Sequence, residues 1–425
     1  MTRDQSKSRT DAGARTRVVR VVHPDLFGRQ RAKQIPVALA ERADTIAYSK
    51  MSLAEDLMGV PVDETAFPAV AGHPDLDARL EPTTSVTPPW EPDASWMMSS
   101  LEEHGSPSPL CVRSALRNAR DRLAQRGWHA VAAGEPEFYL FERGEQPHPY
   151  GGTGVSYTMD RLADPDGAAG RIHRALIDFG IGVTAINREF SRGQFEVNLH
   201  HAEVLDAADR VFLLKTGLKE LAIIEGLRAS FMPKPLAGEE GSSLHVHMSF
   251  WDGDRNIFAE GADGVSDLAM SAIAGIQDHA PAIHAFAAPT INSYKRLRGE
   301  GLSPRSSGWA ADNRYSYLRL PAERGDATRF ELRAGDSSAS PHLLMAAMIH
   351  AALDGIERGL TPHAQGHPLP QSLTASIAAL EQDAVLRNAL GDELVDVYAA
   401  VKRAESADFD AAVTDWEWRL YADSV

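Results

Sequence analysis

The 425 residues, 43% hydrophobic and 24% charged, can bury a large core, and at about 150 residues per domain they predict two domains. A formal charge of −16 argues against non-specific nucleic-acid binding while leaving room for a local basic site, and the single cysteine, Cys111, excludes an intramolecular disulfide or a cysteine-based metal cluster. No apolar run is long enough to span a membrane and no signal-peptide core is present, so a cytoplasmic protein without a membrane partner is expected.

Residues 1–16 are polar and read as a disordered tail. Residues 18–22 (VVRVV) predict a strand, 24–29 a turn and 31–36 a second strand, which makes a hairpin. Residues 40–108 are rich in Pro, Asp and short apolar runs, with strand candidates at 76–80 and 95–98, so a small mixed domain is predicted over 17–108. Beyond it a helix is expected over 112–126, stopped by Gly127, then a strand at 134–141, a helix over 165–180 and a strand at 182–186. A long amphipathic helix over 202–229, a loop over 232–243, a mostly apolar helix over 267–288, another over 341–360 and a helical tail over 372–421 complete the larger domain, 109–425.

Four strand-like runs carry the chemistry. In Gly134-Glu135-Pro136-Glu137-Phe138 the two acids share one face of a strand, because side chains alternate. Like charges held that close repel unless a cation lies between them, although Glu-x-Glu is also ordinary on a solvent-washed sheet. Gln194-Phe195-Glu196-Val197-Asn198 turns three polar groups to one side, Leu244-His245-Val246-His247-Met248 two imidazoles, and Arg329-Phe330-Glu331-Leu332-Arg333 two guanidinium groups about an acid. One sheet with a polar, concave, metal-binding face is the economical reading. Glu135, Glu137, Glu189, Glu196, Glu331 and His245 supply ligands for two metal sites, and oxygen-rich ligation with one imidazole suits Mg2+ or Mn2+ better than zinc. Taken singly, each is equally compatible with a surface acid or a satisfied histidine.

A basic cluster, Arg296, Arg314, Arg319, Arg329 and Arg333, stands out in so acidic a chain. Planar guanidinium forks clamp carboxylates and phosphates, the alternative being a structural ion-pair network. No phosphate-binding Walker loop, dinucleotide fingerprint or nucleophile elbow is present, so nucleotide binding has to run through metals and arginines.

These motifs, with Phe231-Met232-Pro233-Lys234-Pro235, Gly241-Ser242-Ser243, Asn292-Ser293-Tyr294-Lys295-Arg296 and Asn313-Arg314, resemble the glutamine synthetase family from about residue 17 to the end. The resemblance implies an α+β fold: an N-terminal β-grasp domain and a catalytic domain whose curved antiparallel sheet is flanked by helices. It implies homo-oligomeric rings, with a dodecamer of two hexamers expected. Glu137, Glu189 and Glu196 then look like ligands of one metal, and Glu135, His245 and Glu331 of the second. Arg296 and Arg333 resemble the residues that grip glutamate, with the Gly241 backbone near its amino group, and Arg314, Arg319 and Arg329 the arginines on the ATP phosphates. His247 and Ser249 lie where the family holds the nucleotide. The implied reaction is phosphorylation of the glutamate side chain by ATP, followed by displacement of phosphate by ammonia or an amine, with Arg314, Arg333 and Glu300 as catalytic candidates.

Two departures bear on the acceptor. Ammonia-using members carry a flap glutamate six residues after the arginine of Tyr-Lys-Arg, a position held here by Leu302, with Glu300 out of register. Their Asp-Gly-Ser-Ser loop has no counterpart over residues 46–62, and no equivalent of the adenylylated tyrosine loop is present. A γ-glutamyl amide synthetase for a primary amine is therefore expected. Glutamine synthesis with Glu300, Glu55 or Asp56 substituting is the runner-up, and an inactive scaffold of the same fold the reading from another class.

Overall fold

The computed structural model describes residues 16–61, 70–261, 263–299 and 302–425. The predicted disordered tail falls almost wholly outside the described residues, and Glu300 does too. The first sheet holds β1 (Val18–Pro24), β2 (Gln30–Pro36), β3 (Thr45–Ser49), β4 (Asp75–Leu80), β5 (Ala94–Glu103) and β6 (Ser106–Pro107) in the order β2-β1-β5-β4-β3, with β6 on β5. The β1–β2 hairpin is the predicted one, and β1 runs parallel to β5.

The second sheet has eleven strands: β7 (Trp128–Glu142), β8 (His148–Pro149), β9 (Val183–Arg188), β10 (Gln194–Leu199), β11 (Ala202–Glu203), β12 (Leu227–Ser230), β13 (Leu244–Asp252), β14 (Arg255–Asn256), β15 (Trp309–Ala311), β16 (Leu318–Leu320) and β17 (Phe330–Leu332). Its main path is β15-β16-β17-β13-β7-β10-β9, antiparallel except for β15–β16. Register places the chemistry: Glu135 pairs with His245, Glu137 with Glu196, and Glu331 with both His247 and Arg319. A row of acids, imidazoles and guanidinium groups thus crosses five strands.

Among the described residues twelve α-helices follow chain order: α1 (Val37–Ala40), α2 (Val112–Ala124), α3 (Ala168–Asp178), α4 (Val204–Ile224), α5 (Asp267–Asp278), α6 (Ala280–Ala287), α7 (Ile291–Arg298), α8 (Pro341–Arg358), α9 (Leu373–Gln382), α10 (Ala384–Leu390), α11 (Asp392–Ala411) and α12 (Asp415–Tyr421). The expected helix over 202–229 stops at Ile224, because Gly226 adopts a positive φ of 75° and the next residues pair with the end of β7 as β12. The apolar helix over 267–288 is two helices that meet at His279, with Pro281 in the first turn of α6. α7 was not foreseen as a helix; Thr290 caps it through a reciprocal bond with Ser293. The helical tail divides into α9 to α12.

The greasy face of the second sheet packs on α4. Phe138, Leu140, Phe195 and Val197 are fully buried, each such side chain contributing about 1.5–3 kcal/mol relative to exposure. Beside the acid pair, Gly134 lets α4 approach: a Cβ there would come within 2.5 Å of Val211 Cγ2. α8 is buried from Pro341 to Gly355 and serves as the central helix of the core. Among the described residues no helix is long and apolar enough to cross a membrane.

Arg113 on α2 ties the first sheet to the helices. Its Nε and Nη2 donate to the two Asp209 oxygens at 2.8 and 2.7 Å, and its Nη1 and Nη2 to Glu81 at 2.7 and 3.0 Å. Burial works against both acids, yet Arg113 outweighs it and holds each at about 2. Arg113→Met, which strands Asp209 in the interior, is expected to cost about 3–5 kcal/mol, read as a lower midpoint of chemical denaturation at pH 7. Because both folded-state values lie below the unfolded ones, this contribution is present above about pH 5 and is lost as pH falls toward 2.

Candidate active site

A cavity of about 590 Å³ opens over the polar row. It is lined by Glu135, Glu137, Glu189, Glu196, His245 and Glu331, by the five arginines 296, 314, 319, 329 and 333, and by Gly241, His247 and Leu302. Of the described residues that the resemblance assigns to the site, Ser249 lies elsewhere. It lines an adjoining cavity of about 530 Å³ that shares Glu135, His247 and Arg329 with the first.

The centre is His245 Nδ1, which faces three carboxylates from three other strands: Glu135 Oε2 at 3.7 Å, Glu331 Oε1 at 3.8 Å and Glu196 Oε2 at 3.9 Å. These separations are too long for hydrogen bonds and leave a gap ringed by hard donors. Glu135, Glu196 and His245 present atoms within 4.8 Å of one another, and so do Glu135, His247 and Glu331. The two triplets are not equivalent. Arg329 Nε donates to His247 Nδ1 at 3.1 Å, and a guanidinium can only donate, so the proton of His247 sits on Nε2, 3.3 Å from Glu135 Oε2. A nitrogen that carries a proton cannot hold a cation, which leaves His245 as the imidazole able to ligate.

The electrostatics fit a divalent cation. Burial, then the carboxylates of Glu135 and Glu137, pushes Glu196 up to about 9, and burial with Glu137 pushes Glu189 up to about 7. Burial also pushes Glu135 up, but the imidazoles of His245 and His247 outweigh it and hold the carboxyl well below its usual range. Glu331 is opposed by burial and held at about 2 by His245, His247 and Arg333, with Arg319 Nη1 2.8 Å from its Oε2. The repulsion that a divalent cation would relieve therefore falls on Glu189 and Glu196.

Arg296 is buried and has no acid bonded to it among the described residues; it donates to Ser243 Oγ at 2.8 Å and Ala334 O at 3.1 Å. Its stem lies against Gly241, where a Cβ would come within 2.6 Å of Arg296 Cγ. Only glycine admits the arginine there. Arg333 donates to Glu331 and to Arg314 O, Arg319 to Glu331 and Asp312, and Arg314 to Tyr157 Oη at 3.3 Å. Neither Glu55, paired with Arg31, nor Asp56 lines this cavity.

Sequence reasoning missed the amides that orient the acids. Gln194 Nε2 donates to Glu137 Oε2 at 3.1 Å, Asn187 to Glu189 at 2.7 Å and Asn198 to Glu196 at 3.0 Å. Period-two alternation put Gln194 and Asn198 on the right face, and that signal was available to name them as holders of the acids.

Comparison with known proteins decides the family. The glutamine synthetase catalytic-domain family matches residues 109–421. The chain belongs to the glutamine synthetase family. A glutamine synthetase of Methanocaldococcus jannaschii is 35% identical over 85% of this chain and 87% of its own length. A glutamate–methylamine ligase of Methyloversatilis universalis is 32% identical over 92% of this chain and 97% of its own length. The solved structure described as apo GmaS without ligand superposes with a TM-score of 0.85 at 32% identity, covering 96% of this chain and 97% of that one. As a glutamine synthetase family member the protein is an ATP-dependent ligase that forms a carbon–nitrogen bond, and its α+β fold with a curled sheet is the family's.

Proposed function

We propose that the protein joins the γ-carboxylate of L-glutamate to a primary organic amine at the expense of ATP. The observation that carries this reading is Leu302 in the wall of the acid-rich cavity, at the register where ammonia users carry a flap glutamate. An anion there favours a small cation such as ammonium, whereas a leucine offers apolar contact to a carbon chain. The similarity to a glutamate–methylamine ligase supports the same reading.

In this proposal residues 17–108 form the N-terminal domain, 109–425 the catalytic domain, and the chain assembles as rings. Glu135, Glu196 and His245, with Glu137, Glu189 and Glu331 around them, would hold two Mg2+ or Mn2+ ions, which when bound supply positive charge to phosphate oxygens. Arg296 and Arg333 bind the carboxylates of glutamate, with Gly241 O close to its amino group. Arg314, Arg319 and Arg329 take the phosphates, and His247 and Ser249 the nucleotide in the adjoining cavity. The γ-carboxylate oxygen attacks the terminal phosphorus of ATP, giving γ-glutamyl phosphate and ADP. The amine nitrogen then attacks the acyl carbon, phosphate leaves and a proton passes from nitrogen to a nearby carboxylate. The arginines position both partners and disperse the developing charge.

Glutamate-dependent ADP release with Mg2+ or Mn2+ tests this against ammonium, methylamine, ethanolamine, putrescine and an aromatic amine, with product masses checked. An organic amine is expected to exceed ammonium at least tenfold in kcat/KM, a difference of about 1.4 kcal/mol, and Leu302→Glu is expected to narrow it. Ammonium as the best acceptor would restore glutamine synthesis, the reading that Glu300 serves. ADP release with none of them would leave a scaffold.

A further inference from the structure

A larger cavity, of about 910 Å³, shares no lining residue with the acid-rich one. Its walls come from the loop after β1, from α4, from the run after β12, from α7 and from α11, and they are mainly apolar: Phe27, Phe231, Met232, Ile291 and Phe409. Against them stand cationic and hydroxyl donors that the chain leaves short of partners.

Lys215 is 6% exposed, and its ammonium, with three hydrogens to give, donates once, to Ala339 O at 3.0 Å. Lys219, one turn further along α4, lines the same cavity but is exposed; it makes no hydrogen bond or ion pair among the described residues, its nearest ring being Phe231 at 5.7 Å, so its charge is free to meet a ligand at the edge of the pocket. Ser340 is 5% exposed, its Oγ has no partner, and it stands at the N-cap of α8 without making the cap bond. Arg29 spends Nε on Asp25, but its Nη2 is buried and unpaired. Of the remaining charges, Lys402 pairs with Glu405 and Glu220 with Arg20, while Lys295, exposed, lies 5.2 Å from the Phe409 ring. The buried donors of Lys215, Arg29 and Ser340 are costly to leave unsatisfied in an apolar wall, and an anion relieves them.

We propose that this cavity binds a small organic anion, with a carboxylate or phosphate head on Lys215, Lys219 and Ser340 and an apolar body against Phe27, Phe231 and Ile291. The positive end of the α8 dipole favours the same head. Burial, then the charge of Lys219, pushes the Lys215 ammonium down to about 7, and a bound anion reverses that. The site is placed to act on the ligase. Ile291 and Lys295 of α7 line it while Arg296 of the same helix lines the acid-rich cavity, and Pro233, which also lines it, accepts from Ser242 N at 2.8 Å beside Gly241. Occupancy is therefore expected to change KM for glutamate.

Isothermal titration of the full chain, with glutamate and ADP saturating so that the other arginines are engaged, tests the proposal with octanoate, phenyl phosphate and inorganic phosphate. At least one organic anion is expected to bind the wild type, and Lys215→Met and Lys219→Met to weaken it about tenfold or more each. Which of the two binds identifies the head. Both variants replace a lysine by an apolar chain of similar length, and Ser340→Ala gives a milder third test should Lys215→Met fail to fold. The proposal is overturned if neither organic anion binds, if all the variants bind as the wild type does, or if inorganic phosphate binds equally well. It is also overturned if binding appears only after residues 412–425 are removed, which would make the C-terminal segment the occupant.

Discussion

Replacing Glu135 by glutamine is expected to lower kcat/KM about a thousandfold, corresponding to about 4 kcal/mol of transition-state stabilisation, and to leave the metal-free protein folded. Glu135 belongs to both donor triplets and faces both imidazoles, which makes it the acid the two triplets share. The amide keeps the shape of the side chain and removes its charge. Without metal that charge is favoured by the imidazoles of His245 and His247 and opposed by its neighbours, since it is the main carboxylate raising Glu196 and also raises Glu189. Because these effects oppose each other, thermal midpoints of the two metal-free proteins at pH 8 should agree within a few degrees, while Mn2+ raises the wild type's midpoint more. If the variant instead kept near wild-type turnover, Glu135 would not be part of the cation site. If its metal-free midpoint collapsed, Glu135 would be a structural strut and the loss of activity would carry no catalytic meaning.

Much of the site was legible because a strand has a period of two. Glu135 and Glu137, His245 and His247, and Arg329, Glu331 and Arg333 could be assigned to common faces from spacing alone, and the register then brought those faces together. What spacing cannot express is the partner of each ring nitrogen. His245 and His247 are equivalent in the sequence, and only the bond from Arg329 separates a candidate ligand from a proton donor. Boundaries failed where tertiary pairing overrode helical periodicity. Leu227 to Ser230 continue the pattern of α4 but find a free edge on β7 beyond the turn at Gly226. The cavity behind α4 was invisible for a related reason: lysines on a helix ordinarily reach water, as Lys219 does, and nothing in the spacing shows that Lys215 one turn earlier is buried.

Metal affinity is expected to rise by roughly a thousandfold to ten-thousandfold between pH 6 and pH 9, because the cation must displace protons that the folded site retains. Glu196, raised from 4.5 to about 9, and Glu189, raised to about 7, both hold protons at pH 6 in the metal-free protein. Each proton displaced on binding gives up to a tenfold gain in affinity per pH unit, until the pH passes the group's own value. Glu189 therefore contributes up to about pH 7 and Glu196 across the whole interval. The stability of the metal-free protein runs the other way. Both groups bind protons more tightly folded than unfolded, so their contribution is complete below about pH 4.5 and declines as pH rises through 7 and 9. The stabilisation by Mn2+, read as the shift in thermal midpoint, should accordingly be larger at pH 8.5 than at pH 6.5. Glu196→Gln separates the two groups: it should confine the steep region to pH values below about 7 and reduce the protons released, measured by titrating Mn2+ in buffers of different ionisation enthalpy. A wild-type affinity that stayed level from pH 7 to pH 9 would mean that Glu196 is already ionised, and that the repulsion among these carboxylates is relieved within the chain rather than by a cation.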